Sequence, residues 1–199
     1  MKAVRLSIVI PSVGRTALAA TLDSIKGAGV QRTDEVLIVA DGGAPGAHDI
    51  AEASGLSSVC KLRVVDLVPA GGDYGQPGRN FGMGKAKGTH VMFGQDDNVL
   101  MTGALTLIRD AVTAAPDRLH FFRVQPRCGI VVGNNHDEEG LPMLGHIDAD
   151  CGVVPRDRVA LGKWGDGYNG DFDFWYETAA NYRGRIEWHD EIISCHQRG

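Results

Sequence analysis

The 199-residue chain has no long apolar run. Its opening stretch, MKAVRLSIVIP, holds only about five apolar residues in succession, too few for the core of a secretory leader or for a membrane span. A soluble, cytoplasmic chain is therefore expected. Closely spaced cysteines are also missing. Cys60, Cys128, Cys151 and Cys195 lie far apart with no C-x-x-C, which predicts free, mostly buried thiols in a reducing compartment. Nor is there a basic excess: the net charge of −5 argues against broad binding to a phosphate backbone and leaves at most a small patch around Lys85 and Lys87. Repeats, linkers and low-complexity runs are absent. The length suits one domain whose core needs no disulfide staples.

What the chain does have is glycine, 27 copies in all, many of them between Gly71 and Gly88. Such bunching suits tight turns or close backbone approach to a ligand. Short apolar runs at 6–10 and 36–40 read as buried strands, and 62–67, 90–93 and 119–124 as further strands. Between several of them lie segments with apolar residues at helical spacing: 16–28 (Leu18, Leu22, Ile25), about 79–87, and 102–114. Strands alternating with helices predict an α/β fold with a mostly parallel sheet flanked by helices. Beyond residue 125 the rhythm breaks. Segments 146–154, 172–183 (helical) and 191–196 read as a mixed C-terminal extension of the same sheet.

Ligands of such sheets bind beyond the carboxyl ends of the strands. Three predicted strand ends are polar: Pro11-Ser12-Val13-Gly14-Arg15, Asp41-Gly42-Gly43, and Gln95-Asp96-Asp97-Asn98. Parallel strands would bring all three to one edge. A nucleotide is the natural ligand there, yet the usual phosphate signatures are missing. No G-x-G-x-x-G follows the first strand, and a P-loop fails because Arg79 and Ala86 stand where glycine and Ser or Thr are required. The adjacent carboxylates of Asp96 and Asp97 repel each other and are costly to desolvate. A divalent cation, Mg²⁺ or Mn²⁺, would relieve that repulsion and hold phosphate oxygens.

The stretches LSIVIPSVGR, DEVLIVADGG and GRNFGMGKAKGTHVMFGQDDN, in that order, resemble the first half of a family 2 glycosyltransferase of GT-A fold. The resemblance covers about residues 5 to 100. It implies a single GT-A-like domain over 1–199, with a nucleotide-sugar-binding half at 1–100 and an acceptor half at 101–199. It also implies a nucleotide-diphosphate sugar as donor and transfer with inversion. Carried over residue by residue, Pro11 and Arg15 border the nucleotide and Asp41 contacts the base. Arg79, in Arg79-Asn80-Phe81-Gly82, lies near the phosphates or braces the acidic loop. Asp97, helped by Asp96, holds the metal. Two departures stand out: Ala40 and Gln95 occupy positions where the family usually has aspartate.

The second half matches more loosely. GDGYNGDFDFWYETAANYRG resembles the region of the family's catalytic base, making Asp171 the candidate and Asp173 the alternative; a helix cap is the other reading of Asp171. EIISCHQRG resembles a terminal strand that in some members contributes a metal-binding histidine, here His196. Asp41-Gly42-Gly43 also reads as plain turn chemistry. Trp164 reads as core or as a wall that stacks on a sugar. His146, Asp148 and Asp150 alternate on a predicted strand, which would give them a common face. Asp137-Glu138-Glu139 reads as an exposed loop or lid. Two other classes fit parts of the pattern: a nucleotidyltransferase acting on sugar phosphates, and a non-catalytic nucleotide- or sugar-binding module. The acceptor stays open among a small molecule, a glycan, a lipid carrier and a modified DNA base.

Overall fold

In the computed structural model, residues 3–126, 130–156 and 160–197 are described; Cys128 lies outside them. The apolar runs form the centre of the molecule. β1 (Leu6–Ser12) is buried along its whole length, β2 (Glu35–Asp41) until its last residue, and β4 (His90–Phe93) throughout. That is the pattern of strands covered on both faces. β3 (Lys61–Leu67) is only half covered and lies at one edge of the sheet.

The eight-stranded sheet runs β3-β2-β1-β4-β7-β6-β8-β5. Here β5 is Asn98–Leu100, β6 Leu119–Gln125, β7 Gly152–Pro155 and β8 Ile186–His196. β3, β2, β1 and β4 are mutually parallel. β7 inserts antiparallel between β4 and β6, β6 and β8 are parallel, and β5 closes the sheet antiparallel to β8. This is the expected GT-A-like α/β architecture, with antiparallel pairing in its second half.

The helices follow from their periodicity. α1 (Ala17–Gly27) buries Leu18, Leu22 and Ile25. α3 (Gln76–Lys85) packs flush on β1 and β2 because Gly82 has no side chain: a Cβ there would sit 2.4 Å from Val9 Cγ1 and 2.9 Å from Val39 Cγ2. α4 (Ala104–Ala114) buries Leu105, Ile108 and Val112. α5 (Gly170–Asn181) adds Phe174 and Trp175 to an aromatic cluster with Phe93, Phe121 and Trp164. α2 (Pro45–Ala53) was not expected; it buries only Ala47 and Ala51, too faint an apolar stripe to read.

One expected strand is corrected. Of 146–154, only the end from Gly152 is strand; Ala149–Cys151 forms a 3₁₀ turn capped by the Asp148 carboxylate, which accepts from Ala149 N at 2.6 Å. Local side-chain bonding of this kind competes with extended structure. His146, Asp148 and Asp150 therefore do not alternate on one strand face. His146 turns instead to Asn135, 2.8 Å away.

Candidate functional site

Because β1, β2 and β4 are parallel neighbours, their polar carboxyl ends open on one edge. A cavity of about 630 Å³ lies there, lined by Pro11, Arg15, Asp41, Arg79, Asp96, Asp97 and His196, and also by Gln95, Asp148, Tyr74 and Tyr168. Asp171 and Asp173 are not among its lining residues.

The paired acids are engaged from three sides. Ser12 Oγ donates to Asp96 Oδ2 at 2.8 Å. The Arg15 guanidinium lies 3.1 Å from Asp96 and 3.6 Å from Asp97, with its own side chain 56% exposed. Asp96 is almost fully buried; burial pushes its pKa up, against the pull of Ser12 and Arg15. On the other side His196 Nδ1 stands 3.9 Å from Asp97 Oδ1.

His196 is oriented by its neighbours. Asn98 Nδ2 donates to Asp150 Oδ2 at 3.1 Å, so its Oδ1 faces His196 Nδ1, also at 3.1 Å. That arrangement sets the proton on Nδ1 and the lone pair on Nε2. Ser194 Oγ donates to the same Asp150 oxygen at 2.5 Å. Nδ1, the nitrogen beside Asp97, is thus the protonated one, and a cation would take the imidazole through Nε2. Among the described residues no cluster of three or more His, Cys, Asp or Glu could hold a metal. Asp97 and His196 could therefore hold a cation only if phosphate oxygens and water completed its shell, the habit of Mg²⁺ in nucleotide sites.

Arg79 sits deeper. It is 5% exposed, its guanidinium lies 4.9 Å above the Trp164 ring, and its Nη1 donates to Tyr74 O at 2.8 Å. Its Nε finds no hydrogen-bond partner among the described residues. Burial lowers its pKa, while Asp148, Asp171, Asp150 and Asp96 pull it back up. A buried cation with an unsatisfied N–H is a feature that an anionic ligand would complete. Asn80, next to it, exchanges two hydrogen bonds with the Trp164 backbone and ties α3 to the loop before α5. Trp164 itself is 1% exposed and stacks on Phe174. It is core, and stacking on a sugar is excluded.

Asp41 is more than a turn residue. Its two carboxylate oxygens accept from Gly71 N and Gly72 N at 2.6 and 2.8 Å, fastening the glycine loop over the cavity. Gln95 spans the other wall: its Nε2 donates to Asp148 Oδ1 at 2.6 Å. Burial, together with the nearby Asp150 and Asp171 charges, raises the Asp148 pKa to about 7. This neighbour of Gln95 lies 53 positions away in sequence, and a motif reading had no means of pairing the two.

Asp171 and Asp173 both fall in the first turn of α5. Asp171 lies inside the helix and the N-cap is Asn169, which makes no capping hydrogen bond. The Asp171 carboxylate accepts from Phe172 N at 2.8 Å, and burial raises its pKa. Asp173 faces solvent. Asp137-Glu138-Glu139 is exposed, with Glu139 paired to Arg183 at 2.7 Å.

No helix of the described residues is long and apolar enough to cross a membrane. No family model and no curated protein matches the chain. Solved structures do. S. aureus TarS is 12% identical with a TM-score of 0.73, over 98% of this chain and 37% of the TarS chain. TarS 1–349 in complex with UDP-GlcNAc is 16% identical with a TM-score of 0.75, over 98% of this chain and 59% of that one. The complex of TarS 1–349 with UDP gives the same identity and TM-score, over 61% of its chain. The present chain thus spans less than two thirds of these TarS chains, and what it shares with them is the fold.

Proposed function

We propose that the chain is a metal-dependent, inverting glycosyltransferase of family 2 that moves a sugar from a nucleotide-diphosphate sugar to an acceptor hydroxyl. The observation that carries this reading is the meeting of Arg15, Asp96, Asp97 and the incompletely paired Arg79 in one cavity at the ends of parallel strands. A diphosphate with a cation satisfies all four. The shared fold with TarS, solved with UDP-GlcNAc and with UDP, supports a UDP-linked sugar as the donor.

In this reading the Pro11–Arg15 loop borders the nucleoside, and Asp41 shapes its site by fastening Gly71 and Gly72. Arg15, more than half exposed, turns from the carboxylates to the phosphates. Arg79 places its charge beneath them. Asp97 and His196, helped by Asp96, would hold Mg²⁺ or Mn²⁺, which supplies charge stabilisation to a leaving diphosphate. Asp171 takes the proton of the acceptor hydroxyl as that oxygen attacks the anomeric carbon opposite the departing diphosphate, inverting the centre. Burial raises its proton affinity, which suits a base; the exposed Asp173 has no such environment.

The test is calorimetry of UDP and UDP-GlcNAc with and without Mn²⁺, followed by UDP release. Metal-enhanced binding with slow release of UDP is expected. Failure of both ligands to bind in either condition refutes the reading. Release of pyrophosphate from a nucleoside triphosphate and a sugar phosphate would mark a nucleotidyltransferase instead.

A further inference from the structure

The rim of the cavity carries two tyrosines that the chemistry above does not use. Tyr74 and Tyr168 are 69% and 80% exposed, and their rings meet edge to face with centroids 5.8 Å apart. Contact with each other leaves most of both rings in water.

The backbone beneath Tyr74 is unusual. Gly72, Asp73, Tyr74 and Gly75 have consecutive positive φ values of 58°, 45°, 53° and 81°. Asp73 and Tyr74 are the only non-glycine residues with positive φ among the described residues. Each such residue costs on the order of 1–3 kcal/mol and persists only where its surroundings over-determine it. Here they do. Gly72 N is held by Asp41, Tyr74 O accepts from Arg79, and both Asp73 carboxylate oxygens accept from Gly167 N at 3.0 and 3.1 Å. That last contact locks the Tyr74 turn to the loop bearing Tyr168. The turn pairs the buried Arg79 through the Tyr74 carbonyl and holds the Tyr74 ring, which burial does little to reward, out at the cavity mouth.

Charge narrows the ligand. Segments 70–76 and 164–173 contain Asp73, Asp166, Asp171 and Asp173 and no lysine or arginine. Of these only Asp73 lines the cavity, while Asp166 and Asp173 are exposed on the same segments; segments so charged offer a phosphodiester chain none of the cations it requires. A sugar ring has an apolar C–H face that stacks on an aromatic ring, and hydroxyls that donate to carboxylates. We propose that Tyr74 and Tyr168 form the acceptor subsite and that the acceptor is a neutral saccharide, not a polyanion. This rests on the glycosyl-transfer reading for its role, but not for the binding it predicts.

The wild-type protein is applied to a glycan array carrying neutral, sulfated and phosphorylated glycans, with a single-stranded oligodeoxynucleotide as a separate polyanionic probe. The best neutral ligand is then titrated by calorimetry into wild type, Tyr74→Ala, Tyr168→Ala and Tyr168→Phe, each first checked for a wild-type melting curve. Neutral glycans should bind in preference to charged ones. Each alanine variant should lose about tenfold in affinity, the scale of one aromatic contact, while Tyr168→Phe, which keeps the stacking face, should bind like wild type. Absence of any neutral ligand, preference for the oligonucleotide or the charged glycans, or unchanged affinity in both alanine variants overturns the proposal. A separate UDP titration of the wild type reports on the donor site, so saccharide binding that survives a failed UDP titration removes the transferase reading and leaves this one standing.

Discussion

Replacing Asp148 by asparagine should stabilise the protein at neutral pH and have almost no effect in acid. In the folded chain the Asp148 pKa rises from an ordinary 3.8 to about 7, first through burial and then through the charges of Asp150 and Asp171, with Arg79 opposing. Below about pH 4 the carboxyl is protonated in both folded and unfolded states and contributes no difference. Between about pH 4 and 7 the folded state holds a proton that the unfolded state has released, so stability falls as pH rises, by about 1.4 kcal/mol for each step of one in pH. Above about pH 7 both forms are ionised and the deficit is complete. Accumulated over that window it reaches about 4 kcal/mol at most. Asparagine escapes this penalty. Its Oδ1 can still accept from Gln95 Nε2 and Ala149 N, and its neutral amide removes a like charge from the neighbourhood of Asp150 and Asp171. Urea denaturation of both proteins from about pH 4 to 8 measures the difference, which should grow with pH and level off near pH 7. A pH-independent difference, or a variant less stable than wild type at neutral pH, refutes the reasoning.

Asp97→Asn should remove the Mn²⁺ enhancement of UDP binding, with a smaller loss in Asp96→Asn; metal titrations by calorimetry decide, and an unchanged metal dependence in Asp97→Asn counts against the cation site. Asp41→Ala removes two charge-assisted hydrogen bonds and should weaken nucleotide binding by about 1–3 kcal/mol. Hydrogen exchange at Gly71 and Gly72 should quicken in the same variant, and equal protection would show that the loop does not depend on Asp41. Asp171→Asn should lower the rate of transfer by about 10²–10⁴ with donor affinity little changed, whereas Asp173→Asn should stay active. The opposite pattern of turnover would move the base by two residues.

The amino-acid sequence by itself determined the central strands. Ser7, Glu35, His90 and the polar carboxyl ends apart, the runs at β1, β2 and β4 are apolar, and a strand covered on both faces tolerates little else. The three polar ends were equally legible, because parallel pairing sends successive strand ends to the same edge. α2 escaped detection because two alanines make too weak a stripe, and β5 because three residues carry no period. The order of the second half was beyond reach as well. Nothing local tells β7 to insert between β4 and β6, or β8 to lie between β6 and β5. Tertiary structure alone decided the environment of each charge. Gln95, which reads only as a departure from a pattern of acids, proves to donate to Asp148; a carboxylate in its place would face another carboxylate at hydrogen-bond distance. Trp164 changes from a candidate sugar platform to core because α5 lays Phe174 across it, and exposed aromatic surface falls instead to Tyr74 and Tyr168. Proton affinity, exposure and orientation depend on neighbours tens of residues away, and only packing brings those neighbours together.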